Sequence, residues 1–380
     1  MQNRALWVVL SYLTLPFPAH VGKWIEVYFF IIMDISGIIN KLYLVETHMS
    51  KRNASPSAFG WQFQCNAAIV LMLENIEKLE SVRIEGETED IEIYLEDNKC
   101  YYSQAKSVTN SEDYSNVNKN LINALETLNE ASVKNNCEQI IYITNSPNPF
   151  NNKLTMYKFS SPTNLTYDEL PEPCKNKIDK YIDENKYENI DKSKLQVVVF
   201  YFESDNLVER FKVVKTKIAE FLNTLHRSTF GMAQEVMDAW QRDLFNNCTL
   251  QDTSLHILKE DLIWPIIVLR LEYIEDRDIS DDIEEDDEEE IKSKYKDFIN
   301  NQVDKFEFAT KVLTDYNKYD NGNIKDKANN FVSEKWTNYR DEFLGINIDV
   351  LVLENLIKII IRKIIRNRRF ISEVKKKVKL

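Results

Sequence analysis

Glycine is scarce in this 380-residue chain, with seven in all, and none of them forms a GxxxxGK(S/T) or GxGxxG run. The phosphate-cradling loops of P-loop ATPases and of dinucleotide-binding folds are therefore excluded. No G-x-S-x-G elbow is present to carry a hydrolase serine. Histidine is scarcer still: His20, His48, His226 and His256 are the full set, and none stands near a cysteine pair, so a zinc site is not expected. The cysteines, Cys65, Cys100, Cys137, Cys174 and Cys248, are odd in number and lack paired spacing. That usage fits a reducing cytoplasm better than a disulfide scaffold.

Acid is what the chain has in excess, and it is unevenly placed. The formal net charge is −13 at pH 7. Residues 275–290 hold twelve acids against Arg277 alone, whereas residues 358–380 hold ten basic residues against Glu373 alone. A run of like charge repels itself and cannot be buried, so 275–290 reads as a solvated loop. The chain is long enough for two domains, each with a core of its own.

The stretch 84–107 carries the most specific pattern. Ile84-Glu85-Gly86-Glu87-Thr88-Glu89-Asp90-Ile91 is followed, after a short turn, by Tyr101-Tyr102-Ser103-Gln104-Ala105-Lys106, and the two read as strands bearing an acid, an amide and a lysine. Side chains on a strand alternate faces. Ile91, Ile93 and Leu95 then share one face while Asp90 points the other way, and Gln104 and Lys106 share a face with Ala105 opposite. Glu96-Asp97-Asn98-Lys99 is polar enough to be the hairpin turn. With a suitable register Asp90, Gln104 and Lys106 converge. Oxygen ligands beside a cation are what metal-dependent phosphodiester hydrolysis requires, although an acid and a lysine alone equally mark a solvated surface hairpin.

The flanking segments add context. Ser57-Ala58-Phe59-Gly60-Trp61-Gln62-Phe63-Gln64 leads into a buried helix over Ala67 to Glu74. Leu121, Leu125 and Leu128 recur at helical spacing, and Gln139 to Ser146 reads as a buried strand ending in a turn. In this order of helix, hairpin, helix and strand the chain resembles the PD-(D/E)xK nuclease superfamily, in the branch whose second acid is replaced to give QxK. More closely, it is similar to the double-stranded-DNA endonuclease domain of anti-phage effectors of the CBASS and Lamassu types. Gly60, Trp61, Phe63 and Gln64 match that family's Gly-aromatic-x-aromatic-Gln signature; Glu85, Asp90 and Ile91 match its acidic strand, and Gln104 and Lys106 its Gln-x-Lys strand. The likeness covers roughly residues 55 to 150, well under half of the chain.

The resemblance implies an α/β restriction-endonuclease-like core followed by a mainly α-helical C-terminal domain. It implies that Asp90 ligates Mg²⁺ (or Mn²⁺), that the Gln104 side-chain carbonyl is a neutral second ligand, and that Lys106 orients the attacking water or offsets charge on the phosphate. With one carboxylate replaced, a hard cation is better held by a further acid. Glu85, inside the matched motif, is favoured over Glu74, which also reads as a solvated acid at a helix end. Gln64 either hydrogen-bonds within the site or caps the buried helix.

Outside the matched stretch the expectations are coarser. Residues 1–48 are apolar and imitate a signal peptide, while Met49-Ser50-Lys51-Arg52 looks like an ordinary cytosolic start; translation from Met49 is expected, with a membrane-targeting leader as the alternative. Trp24 to Ile32 is too short for a clean span, so no stable membrane association is expected. The nuclease-like domain is assigned to residues 49–228. Within it residues 160–194 read as loops and short helices, Leu195 to Phe202 as a buried strand and Leu207 to His226 as a helix. Residues 229–380 read as a helical partner or regulatory domain, with helices at Ala233–Leu244, Leu255–Tyr273, Ile291–Tyr316, Ala328–Phe343 and Val350–Lys363. The last is expected to dock on a partner with a basic overhang, with an amphipathic helix packed on its own domain, a membrane-surface helix or a DNA-contacting tail as the alternatives. In the resembled family this region recognises the trigger. A short helical region fits docking on an SMC-like ATPase and an accessory subunit, as in Lamassu-type proteins, better than the mixed sensing domain of CBASS effectors. Three functions are in view: a DNA endonuclease restrained by partners, assembling as a homo-oligomer when active; a nucleotide-sensing effector with the same head; and an inactive module that keeps the fold. In the first, the acidic run 275–290 has a second reading, a DNA mimic occupying the nuclease groove or a partner.

Overall fold

The computed structural model describes residues 55–160, 162–272, 305–320, 326–343 and 350–380. The expectations for residues 1–48, for the Met49 start and for the acidic run 275–290 fall outside them. Helix α1, Ser55–Glu74, enters with Pro56 in its first turn, where a missing N–H costs nothing. From Phe63 to Met72 every residue is buried, which is the pattern of a helix enclosed on all sides rather than laid on a surface.

Around α1 lies a mixed seven-stranded sheet in the order β5-β6-β4-β3-β2-β1-β7. Strands β1 (Leu79–Ile84), β2 (Ile91–Leu95) and β3 (Lys99–Lys106) form an antiparallel meander. Helix α2, Val117–Ala131, then crosses to β4, Cys137–Thr144, which runs parallel to β3. Strand β5, Thr163–Thr166, is an antiparallel edge on β6, Leu195–Val199, itself parallel to β4. One face of the sheet packs Ile91, Ile93, Ala105, Ile143 and Val198 against α1; the other packs Tyr102, Ile140, Tyr142 and Val197 against α2 and α3, Glu172–Asn185.

Three local expectations are corrected. The Ile84–Ile91 segment is not a strand: β1 ends at Ile84, and 85–90 form the turn between β1 and β2, closed by Glu85 N to Asp90 O at 2.8 Å and Gly86 N to Glu89 O at 3.0 Å. Glu85 therefore sits in the turn, with φ of 51°, not on the first strand. The stretch read as loops and short helices, 160–194, contains the 14-residue helix α3.

The C-terminal helices do not form a separate layer. Helix α4 (Lys212–Leu225), α5 (Ala233–Cys248), β7 (Ile257–Leu258) and α6 (Lys259–Glu272) share the core that α1 fills, and Ser55–Leu380 forms one compact unit without a packing break at 228/229. Trp240, fully buried on α5, donates its indole N–H to Leu262 O at 2.6 Å. Beyond them lie α7 (Lys305–Lys318), α8 (Lys327–Lys335) with a 3₁₀ extension over Trp336–Phe343, α9 (Val350–Arg366) and α10 (Arg368–Val378).

The last helices differ from the partner-docking overhang that was expected. Val352, Leu356, Ile360, Ile361 and Ile364 of α9 are buried in this chain's own core, as are Phe370, Val374 and Val378 of α10. Two basic groups find partners within this chain: Lys377 donates to Leu225 O at 2.9 Å, and Lys379 pairs with the Glu77 carboxylate at 2.7 Å. The buried ammonium of Lys259 binds Glu77 O at 3.1 Å and Val378 O at 2.9 Å, which ties the end of α10 to the turn before β1.

Candidate active site

The β2–β3 register decides what the hairpin can do. Ile91 pairs with Ser103, so one step further out Asp90 faces Gln104 across the antiparallel ladder. The Gln104 amide nitrogen donates to Asp90 Oδ2, and Ala105 N reaches the same oxygen at 3.0 Å. Gln64, on the buried wall of α1, favours the charged form of the Asp90 carboxyl. Lys106 ends β3 beside Thr144, whose hydroxyl donates to Lys106 O at 2.6 Å. Burial raises the Asp90 carboxyl above its usual range, and the Lys106 charge opposes that rise.

The two further acids separate clearly. Glu85 lies in the turn next to the cluster, and its charge reaches Asp90. Glu74 is ten residues beyond Gln64 on the same helix, roughly 15 Å along the axis. It pairs with Lys217 at 2.9 Å and accepts from Asn164 at 3.3 Å. It is a structural acid away from the cluster.

Two acids that sequence reasoning passed over belong to the site. Glu89 is 4% exposed, and burial, reinforced by Asp90, pushes its carboxyl up to about 8. Its Oε2 lies 3.2 Å from the Thr127 hydroxyl, which in turn donates to Gln104 Oε1 at 2.6 Å. Glu92, on β2, is buried on Asp90's side of the sheet and holds the turn: its Oε1 accepts Thr88 N at 2.9 Å and Glu89 N at 3.2 Å, and its Oε2 accepts the Tyr94 hydroxyl at 2.5 Å. A Cβ added at Gly86 would stand 2.3 Å from Glu92 Cδ, so only glycine lets the turn close over that carboxylate. The alternation that singled out Asp90 places Glu92 and Tyr94 on the same face; that signal was present in the sequence.

Among the described residues no group of three or more His, Cys, Asp or Glu side chains is arranged to hold a metal ion, so an all-carboxylate or imidazole cage is absent from them. What the cluster offers is Asp90 and Glu89 with the side-chain amides of Gln104 and Gln64. Glu89 Oε1 and Gln64 Oε1 are buried with no hydrogen-bond donor. Buried acceptors without donors beside a carboxylate are a cost that a cation removes. The Gln104 oxygen faces Thr127 rather than Asp90, so the oxygens at hand for a hard cation such as Mg²⁺ or Mn²⁺ are those of Asp90, Glu89 and Gln64.

No protein-family model matches the sequence, and no curated protein matches it. Solved structures do give matches. A structure of the Acinetobacter baumannii Cap4 SAVED/CARF-domain containing receptor with the cyclic trinucleotide 2'3'3'-cAAA matches at 17% identity and a TM-score of 0.34, over 56% of this chain and 45% of the receptor. Another structure of that receptor matches at 16% identity and a TM-score of 0.34, over 56% and 47%. The chain spans less than half the length of these receptors. No helix among the described residues is long and apolar enough to cross a membrane.

Proposed function

We propose that this chain is a metal-dependent endonuclease for double-stranded DNA, with a restriction-endonuclease-like head, acting as an effector of bacterial anti-phage defence. The observation that carries the reading is the contact between Gln104 and Asp90 across the β2–β3 ladder, with Lys106 two residues along the same strand and the donorless Glu89 oxygen alongside. When bound, a divalent ion supplies Lewis-acid stabilisation of the phosphate and an activated water. Asp90 and Glu89 hold it with the amide oxygen of Gln104, Glu85 adds negative charge at the rim, and Lys106 sets a positive charge where charge builds on the phosphate. The fixed turn over Glu92 keeps Asp90 from drifting away from β3.

The trigger has two readings. In the first, an SMC-like ATPase and an accessory subunit restrain the nuclease until infection, and the active form is a homo-oligomer. The described part after residue 228 favours this one, because it contributes helices and a single two-residue strand to the head's own sheet. In the second, a cyclic nucleotide, the ligand named for the matched receptors, is the trigger. Purified protein should cut plasmid DNA in Mg²⁺ and not in EDTA, alone, with its neighbouring gene products, or with added cyclic trinucleotides. Whichever addition switches cleavage on identifies the trigger. No cleavage under any condition would leave the inactive binding module.

A further inference from the structure

Thr127 lies on α2, outside every motif that pointed to the site, yet its hydroxyl touches two site residues at once. Its one hydroxyl hydrogen faces Gln104 Oε1 at 2.6 Å, Glu89 Oε2 at 3.2 Å and Ala124 O at 3.3 Å. The shortest contact takes the hydrogen. In this arrangement the Gln104 amide presents its nitrogen to Asp90 and its oxygen to Thr127. That is the wrong way round for a ligand: a cation on Asp90 needs the amide oxygen there, and an N–H donor would oppose it.

Resting on the nuclease reading, we infer that Thr127 is the positioning residue that lets the Gln104 amide turn over. A hydroxyl both donates and accepts, whereas an amide end does only one or the other. When the amide turns, its oxygen joins Asp90 and its nitrogen faces Thr127, which accepts from it and redirects its own hydrogen to Glu89 Oε2. The turned amide keeps a partner at each end, and Glu89 Oε2 gains the hydrogen that the resting arrangement gives to Gln104. The neutral glutamine of the QxK strand thus becomes a usable ligand through a residue on the adjacent helix, and the same hydroxyl links it to Glu89. A carboxylate at position 104 would need no such partner, because both of its oxygens can ligate.

The test is Mn²⁺ binding, followed by electron paramagnetic resonance of the free ion, with melting temperature in EDTA as the folding control. It uses the full chain as parent, Thr127→Val, Thr127→Ser, Gln104→Glu and the double variant Gln104→Glu/Thr127→Val. Thr127→Val leaves the turned amide nitrogen and Glu89 Oε2 both without a partner, so affinity should fall about tenfold, while Thr127→Ser should stay within about threefold of the parent. In the Gln104→Glu background Thr127→Val should change affinity by less than about threefold. Should the valine variant not fold, Thr127→Ala gives the same comparison. Equal affinity in parent and Thr127→Val, or an equal loss in the Gln104→Glu background, overturns the inference and leaves the nuclease reading standing. A parent that binds no Mn²⁺ overturns both.

Discussion

Replacing Glu92 with glutamine isolates the Tyr94 bond that anchors the side chain on which the turn carrying Glu89 and Asp90 rests. The carboxylate is 1% exposed, and its two oxygens have separate duties: Oε1 takes the backbone N–H groups of Thr88 and Glu89, Oε2 the Tyr94 hydroxyl. Glutamine keeps an oxygen for the backbone and sets an N–H₂ against the phenol. One charge-assisted bond is lost in a dry environment, which should cost about 2 kcal/mol. Tyr94→Phe removes the same bond from the other end and should cost about 1 to 2 kcal/mol. Since both delete one interaction, the double variant should lose little more than the worse single, a coupling of about 1 kcal/mol. Urea unfolding of the three variants measures this. Additive losses, or a Glu92→Gln loss under about 0.5 kcal/mol, would refute the claim that this bond anchors the Glu92 side chain.

Other parts of the structure give equally direct expectations. Gly86→Ala must displace the Glu92 carboxylate, so DNA cleavage should fall by about tenfold or more, with a smaller fractional change in urea midpoint. Glu89 holds a proton in the folded chain up to about 8, against 4.5 in the unfolded one. Metal-free protein should therefore lose stability as pH rises across that window, because the folded state binds more protons there, and Glu89→Gln should flatten the slope in denaturation series at different pH. Lys259→Met leaves the carbonyls of Glu77 and Val378 without their donor. It should cost about 2 kcal/mol, and hydrogen–deuterium exchange should quicken in residues 368–380. Glu74→Gln breaks only the pairing with Lys217 and should leave Mn²⁺ affinity within about twofold of the parent.

Much of the site was legible because alternation along a strand is a geometric rule. It set Asp90 against Ile91 and aligned Gln104 with Lys106, and the ladder joins the two sets one step beyond Ile91 and Ser103. Strand β1 was not legible, because its alternation is broken by Arg83, which reads as solvent-facing. Its guanidinium is fully buried, donating to Asn247 O and Leu250 O at 2.8 Å and to Leu255 O at 3.1 Å. Those partners lie over 160 residues away, and no local pattern reports them. Glu89 was hidden for the same reason, since a carboxylate is read as solvated until a buried neighbour is located, whereas the alternation that set Asp90 on its face reported Glu92 as well. The fusion of the C-terminal helices with the head was invisible because an apolar stripe, such as that of α9, does not say which surface covers it.

The most direct measurement is cleavage of supercoiled plasmid by the parent, Asp90→Asn and Lys106→Ala, in Mg²⁺ and in EDTA, with melting temperatures taken on the same preparations. The account predicts cutting by the parent in Mg²⁺ alone, under its activating condition, and a loss of at least about a hundredfold in both variants without loss of fold. Folded variants that cut as fast as the parent, or a parent that cuts equally well in EDTA, would contradict it.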